Sequence, residues 1–260
     1  RRANQIAAVL VEDCGLRSGA RVLLRAPNTP MLVACWLAVL KAGGICVSTM
    51  ALLRAGELKY IIEKGAIAHA LCDVNFCDAL EEARAITEGL NPILYFSAAG
   101  SAPEAATLET LADSKPSTFT NVDTAADDVA LIAFTSGTTG NPKGTMHFHR
   151  DLIAAADCLP HSIARVLPSD IITGTPPLAF TFGLGGLTLF PMRYGASTRF
   201  VTDNAPDALL AAIQQYRITQ IYTAPTAYRA MAGLAVDYDL SSLQLGVSAG
   251  ETLPKATWEA

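Results

Sequence analysis

The stretch LIAFTSGTTGNPKGTMHFHRDL, residues 131–152, governs the reading of this chain. With the preceding residues it makes the apolar run DVALIAFT, the pattern of a strand buried on both faces. The run breaks into a burst of Ser, Thr, Gly and Lys, and a helical pattern then begins at HRDL. So many hydroxyls and unhindered amides directly after a buried strand suit phosphate oxygens. Gly137 and Gly140 let backbone come close, Ser136, Thr138 and Thr139 offer donors, and Lys143 adds a positive charge. Charge-assisted hydrogen bonds of this kind are worth roughly 1.5–3 kcal/mol each. A Walker A loop needs Gly, four residues, then Gly-Lys-Ser/Thr. Here Lys143 precedes Gly144 and no glycine stands directly before the lysine, so the ordinary P-loop reading fails on spacing. Taken by itself, the segment could also be a plain polar turn.

Outward from this stretch, short β-rich runs alternate with helical patterns. RVLLRA reads as a strand, and NTPMLVACWLAVLKAGG as a helix capped near Asn28 or Thr29 and ended by Gly43 or Gly44. ICVSTM, AHALCD and PILYF read as further strands, RAGELKYIIEKG and FCDALEEARAITEGL as helices. Residues 97–127 read as a surface connection with one short helix at ATLETLAD. Beyond the loop, HRDLIAAADCLPHSIARVL is helical, with Pro160 a candidate kink. DIITGT, ASTRFV, ITQIYTA and LQLGVSAG read as strands; LGGLTLFPMRYG, PDALLAAIQQYR and PTAYRAMAGLA read as helices. PKATWEA begins one more helix, and both ends of the chain read as truncated. The alternation predicts an α/β fold, two layered subdomains of mostly parallel sheet flanked by helices. The division is expected near residue 168. The first subdomain, residues 1–168, would carry the phosphate loop 135–144, and the second would span 169–260. The opening helix could pack on the second layer.

Bulk properties narrow the function. A chain of 260 residues, 51% of them hydrophobic, can bury a substantial core. A net charge of −5 gives no basic footprint for nucleic acid. The longest unbroken apolar run, the ten residues Met31–Leu40, falls short of the roughly 20 that a membrane span needs. The opening RRANQIAAVLVEDCG reads as an amphipathic helix rather than a leader. Six cysteines mostly sit in apolar stretches, and no Cys-x-x-Cys or His cluster completes a zinc site. A reduced, cytoplasmic compartment is expected, with no metal ligand among these residues.

Four segments together resemble a known family. FTSGTTGNPKG is similar to the signature loop of the adenylate-forming superfamily: acyl-CoA and aryl-CoA synthetases, luciferases and peptide-synthetase adenylation domains. PPLAFTFGLGG (176–186) resembles the family's aromatic motif lining the acyl pocket. YTAPTAYRAM (222–231) resembles the Pro-Thr strand–helix junction beside it, and SAGETLP (248–254) the glycine-rich segment that packs on adenine and acyl group. All four occur in family order, and FTSGTTGNPKGTMHFHRD is most similar to benzoate-CoA and 2-aminobenzoate-CoA ligases.

The resemblance implies a carboxylate joined to ATP as an acyl-adenylate, then passed to a thiol, commonly coenzyme A, with Mg2+ assisting. It implies that Ser136, Gly137, Thr138, Thr139, Gly140 and Lys143 bind the nucleotide, with Lys143, Thr138 and Thr139 acting on the phosphates in the reaction. Gly250, Glu251 and Thr252 would border the nucleotide. Phe180, Phe182, Gly183, Tyr222, Ala224, Pro225, Ala249 and Gly250 would line the acid pocket, with ligands between the two subdomains. Phe180 would gate the pocket against the thiol tunnel. Two phenylalanines at i, i+2 are otherwise core on one face of an extended segment, and a buried helix face would also explain Tyr222, Ala224, Pro225 and Tyr228. His149 would be structural or support the site, with a weaker case for His147; His69 and His161 have no constellation.

Amino-acid-activating relatives place an aspartate in the aromatic motif, and AFTFG has none. An unpaired ammonium would be costly to bury, which counts against that class. Phenylalanines with small neighbours suit a planar aromatic acid. The expectation is an ATP-dependent aryl-CoA ligase acting on 2-aminobenzoate or benzoate. The alternatives are a medium-chain acyl-CoA synthetase and a non-catalytic nucleotide- or ligand-binding module. The family's later motifs, with the magnesium-holding glutamate, the ribose-binding aspartate and the C-terminal lysine, do not occur in these residues. The 260-residue piece is therefore not expected to turn over unaided.

Overall fold

The computed structural model describes residues 1–97, 107–135 and 142–259. Contacts divide the chain into two compact units, Arg1–Asp151 and Leu152–Ala260. The break thus falls inside a helix, whereas the sequence reading set it near residue 168.

In the first unit six strands form one sheet: β1 (Arg21–Arg25), β2 (Ile45–Thr49), β3 (His69–Asp73), β4 (Ile93–Phe96), β5 (Val129–Thr135) and β6 (Lys143–Phe148). Their spatial order is β4-β3-β1-β2-β5-β6. All neighbours run parallel except β6, which is antiparallel to β5 with Thr135 opposite Lys143. β6 is absent from the sequence reading for a physical reason. Its residues Lys143–Met146 are exposed on a sheet edge, so no apolar alternation marks it.

The helices of this unit are α1 (Arg2–Ala8), α2 (Pro30–Lys41), α3 (Ala55–Gly65), α4 (Asp78–Ala85) and α5 (Thr107–Asp113); α6 (His149–Leu159) crosses into the second unit. Thr29 caps α2, its hydroxyl accepting from Leu32 N at 3.2 Å with Pro30 in the first turn. α3 shows Leu58, Ile61 and Ile62 at i, i+3, i+4, and all three are buried with Leu23, Val47 and Leu80. The opening helix lies within the first unit. It packs on α2 and α5, and Gln5 Nε2 donates to Lys115 O at 3.1 Å. The apolar face Ile6–Leu10 is what its sequence had to bury.

Two residues in this unit carry measurable predictions. α3 ends at Ala66 in the left-handed conformation, φ 45° and ψ 53°, and the residue is exposed. A Cβ there is strained, so Ala66→Gly is expected to raise stability by about 0.5–1 kcal/mol in denaturant titration. His69, at the start of β3, is 9% exposed with Nδ1 unpartnered, and burial pulls its pKa below the ordinary value. The unfolded chain takes up that proton near pH 6.5 while the folded chain does not. Stability is therefore lost as pH falls below about 6.5, with a slope of up to about 1.4 kcal/mol per pH unit. Unfolding curves at pH 7.5 and 5.5 should differ less in His69→Gln than in wild type.

In the second unit a parallel sheet of order β10-β9-β7-β8 is built from β7 (Ile171–Gly174), β8 (Ser197–Thr198), β9 (Gln220–Thr223) and β10 (Leu245–Ser248). Its helices are α7 (Thr181–Leu184), α8 (Phe190–Tyr194), α9 (Pro206–Tyr216), α10 (Pro225–Ala232) and α11 (Lys255–Glu259). The run ASTRFV pairs over only two residues, although Arg199 N still reaches Ile172 O at 2.8 Å. The helix read as LGGLTLFPMRYG passes through a π-helical turn, Gly185–Leu189. Pro191 has no N–H to give the Leu187 carbonyl four residues back, and Thr198 Oγ1 supplies a donor instead at 2.9 Å. Pro160 likewise opens a π-helical turn, Pro160–Ala164, where the sequence predicted a kink. Leu209, Ile213, Ile218, Ile221 and Met231 form the core between α9, α10 and the sheet.

Candidate functional site

In the first unit the candidate residues that the structure describes lie on β6 and at the start of α6. Ser136, Gly137, Thr138, Thr139 and Gly140 lie outside the described residues. Lys143 starts β6, exposed and without an ion pair among the described residues. Its backbone is held from two sides. It is paired with Thr135, and the preceding Pro142 carbonyl accepts from Tyr60 Oη of α3 at 3.2 Å. No sequence signal pointed to Tyr60, because this contact joins residues far apart in the chain. His147 lies in β6, and His149 opens α6 with its backbone N donating to Asp128 O at 3.1 Å.

In the second unit three of the quoted motifs emerge side by side. β7 ends at Gly174 and runs into Pro176–Phe180; β9 ends at Thr223 before Ala224 and Pro225; β10 ends at Ser248 before Ala249, Gly250, Glu251 and Thr252. These strands are neighbours, and β8 and β9 lie on opposite sides of β7, so the motifs gather at a topological switch point beyond the strands' carboxyl ends. A sequence reader sees three separate loops. Parallel pairing puts them on one rim.

The rim has an exposed layer and a buried one. Phe180 stands before α7 in extended conformation and is 41% exposed. Phe182 is half-buried and rests on Tyr222, with ring centroids 6.1 Å apart. Gly183 is buried, and a Cβ there would come within 2.2 Å of the Pro177 carbonyl oxygen, so its glycine serves the close approach of α7 to the incoming loop. Tyr222 has no accessible surface; its hydroxyl is pushed up to about 12, by burial first and then by Asp170. Burial also raises the Tyr228 hydroxyl, which lies between the Ile221 and Val247 carbonyls at 3.1 and 3.2 Å and ties α10 to both β9 and β10. Both tyrosines remain protonated near neutral pH.

Gly250 takes φ +96°, a conformation that favours glycine, and turns the chain so that Glu251 and Thr252 face outward. They border a cleft of about 220 Å³ together with Pro225, Thr226, Arg229, Pro254 and Thr257. Arg229 is exposed and has no ion pair among the described residues. The sequence reading passed over it, although Thr226 and Arg229 are three apart and so share one face of α10.

The comparisons with known proteins fit this geometry. The family described as "AMP-binding enzyme" matches residues 1–260. The chain belongs to that family. A 3-hydroxybenzoate–CoA/4-hydroxybenzoate–CoA ligase of Thauera aromatica is 29% identical over 93% of this chain and 46% of its own length. A benzoate–CoA ligase of the same organism is 26% identical over 100% of this chain and 50% of its own. Among solved structures, the anthranilate CoA ligase AuaEII in complex with anthranoyl-AMP gives a TM-score of 0.92 at 30% identity, covering 99% of this chain and 50% of that one. A benzoate CoA ligase from Burkholderia xenovorans LB400 gives 0.84 at 26%, covering 99% and 51%. This AMP-binding chain thus spans about half the length of the relatives it matches. Its α/β layers are those of their shared fold, and among its described residues no helix is long and apolar enough to cross a membrane.

Proposed function

We propose that this AMP-binding protein is an aryl-CoA ligase. It would join an aromatic carboxylate, 2-aminobenzoate or benzoate, to the α-phosphate of ATP with release of pyrophosphate. The acyl group of that adenylate would then pass to the thiol of coenzyme A with release of AMP. The observation that carries this reading is the rim of the second unit. Three motif loops converge beyond adjacent strands, and there the half-buried Phe182 ring rests on Tyr222. The aromatic motif brings no carboxylate to pair an ammonium, whereas a flat ring gains by stacking or edge contact. Relatives acting on benzoate, hydroxybenzoates and anthranilate support the same class.

In this reading Lys143, with Ser136, Thr138 and Thr139, holds the β- and γ-phosphates and stabilises the charge that shifts onto departing pyrophosphate. Gly137 and Gly140 let the backbone approach those oxygens. Gly250, Glu251 and Thr252 border the nucleotide, Phe180 gates the acid pocket, and Phe182, Gly183, Ala224, Pro225 and Ala249 shape it. Among the described residues no group of three His, Cys, Asp or Glu side chains could hold a metal ion. Mg2+ would arrive with the triphosphate, on its phosphate oxygens. The compartment that fits these substrates is the cytoplasm.

The test is carboxylate-dependent ATP–pyrophosphate exchange by the full-length gene product with benzoate, 2-aminobenzoate, octanoate and phenylalanine. Exchange driven by the two aromatic acids is expected. Preference for octanoate would replace the aryl reading with an alkanoate one, and no exchange with any acid by folded protein would favour a binding module.

A further inference from the structure

Behind the aromatic motif lies a side chain with no surface open to solvent. Tyr222 is wholly buried, and its ring lies against two phenylalanines: Phe182, tilted by 50°, and Phe190, with centroids 6.4 Å apart and planes at 59°. Against the same ring stands Gly186, where a Cβ would fall 2.5 Å from Tyr222 Cδ1. The backbone is equally confined. A Cβ at Gly174 would lie 2.2 Å from the Tyr222 carbonyl oxygen, which accepts from Thr175 N at 3.2 Å.

The hydroxyl closes the remaining direction. It reaches Gln220 Oε1 at 3.4 Å, while Gln220 Nε2 donates to Asp170 Oδ2 at 3.0 Å and to Ala164 O at 3.2 Å. Those two acceptors fix the amide's orientation and leave its oxygen for the tyrosine. Asp170 is itself pinned, accepting from Thr219 Oγ1 at 2.7 Å and from Leu167 N at 2.7 Å. Packed interiors do not yield to small displacements. A ring held by a helix, a strand and a polar chain can therefore act as a stop for whatever rests on it, and Phe182 rests on it.

We propose that Tyr222 determines acid specificity without touching the acid: it limits how far Phe182 can retreat, and so sets the depth and flatness of the acid-binding face. This rests on the reading of Phe182 as facing the acid. Removing the Tyr222 ring opens space that Phe182 can partly fill. The face then becomes deeper and less flat, which favours a flexible alkyl acid over a planar ring.

The experiment is kcat/KM for benzoate and for octanoate in ATP–pyrophosphate exchange by the full-length gene product, wild type against Tyr222→Leu. The benzoate-to-octanoate ratio is expected to fall at least tenfold, while KM for ATP stays within twofold. An equal loss with both acids, or an unchanged ratio, would mean that Tyr222 is only structural and would overturn the proposal. Should Tyr222→Leu fail to fold, Gly186→Ala perturbs the same stop, since its Cβ would fall 2.5 Å from Tyr222 Cδ1 and the ring beneath Phe182 must shift. It is expected to lower activity with 2-aminobenzoate at least fivefold more than with benzoate; an unchanged ratio overturns the proposal. A wild type that prefers octanoate removes the aryl reading and this inference together. An aromatic-selective wild type with unmoved variants removes the inference alone.

Discussion

Lys143→Ala is expected to slow acid-dependent ATP–pyrophosphate exchange by roughly 10²–10³-fold, about 3–4 kcal/mol of transition-state stabilisation. The side chain is exposed on an edge strand and makes no ion pair among the described residues, so its loss removes little from the fold. Its backbone stays where Thr135 and Tyr60 hold it. The thermal midpoint should therefore stay within a degree or two of wild type. A charge used on phosphate is worth most when pyrophosphate leaves, so kcat should fall more than KM for ATP rises. Lys143→Arg should recover only part of the rate, because a planar fork does not reproduce a compact ammonium. Full activity in Lys143→Ala would remove the hairpin from the reaction.

Arg25→Ala is expected to destabilise the first unit by about 3–5 kcal/mol, a loss comparable to removing one partner of a buried ion pair. Arg25 ends β1 at the middle of the six-stranded sheet and is 2% exposed. Burial pulls its pKa down from the usual value. No carboxylate forms a salt bridge with it among the described residues. Its charge is instead spread over four backbone carbonyls, Met50, Ala51, Leu53 and Phe76, at 2.7–2.9 Å. Those carbonyls belong to the segments following β2 and β3, the strands on either side of β1. Truncation would leave four part-buried acceptors without their donor and a cavity beside them. Arg25→Lys should retain only part of the stability, since one ammonium has three donors and cannot span the fork. Denaturant titration of the three proteins checks the order wild type, Arg25→Lys, Arg25→Ala; equal stability would show that water replaces the guanidinium at no cost.

The two sheets use their carboxyl ends differently. At the end of β1 in the first sheet, Arg25 fills the crevice and spends its donors on protein carbonyls. At the β5–β6 edge this unit offers Lys143, an exposed cation without an ion pair among the described residues. In the second sheet the corresponding rim, beyond β7 and β9, carries the aromatic motif and the Pro225 turn instead.

Much of this was legible without coordinates. The 3.6-residue spacing of Leu58, Ile61 and Ile62, the Thr29–Pro30 start of α2 and the apolar run of β5 each encode their element locally, because periodicity and capping act within a turn or two. The same holds for family membership, since FTSGTTGNPKG and the three later motifs are contiguous strings. β6 was not legible, because an exposed edge strand need not alternate, and the layer that α1 packs on stayed open because an amphipathic face does not name its partner. Only the tertiary structure decided that Tyr60 holds the carbonyl beside Lys143, that Arg229 shares a cleft with Glu251 and Thr252, and that Tyr222 lies wholly behind Phe182. Each of those facts joins residues from different elements. Composition and spacing determine which local structures form and which chemistry is available; the pairing order of the strands determines which of those groups meet.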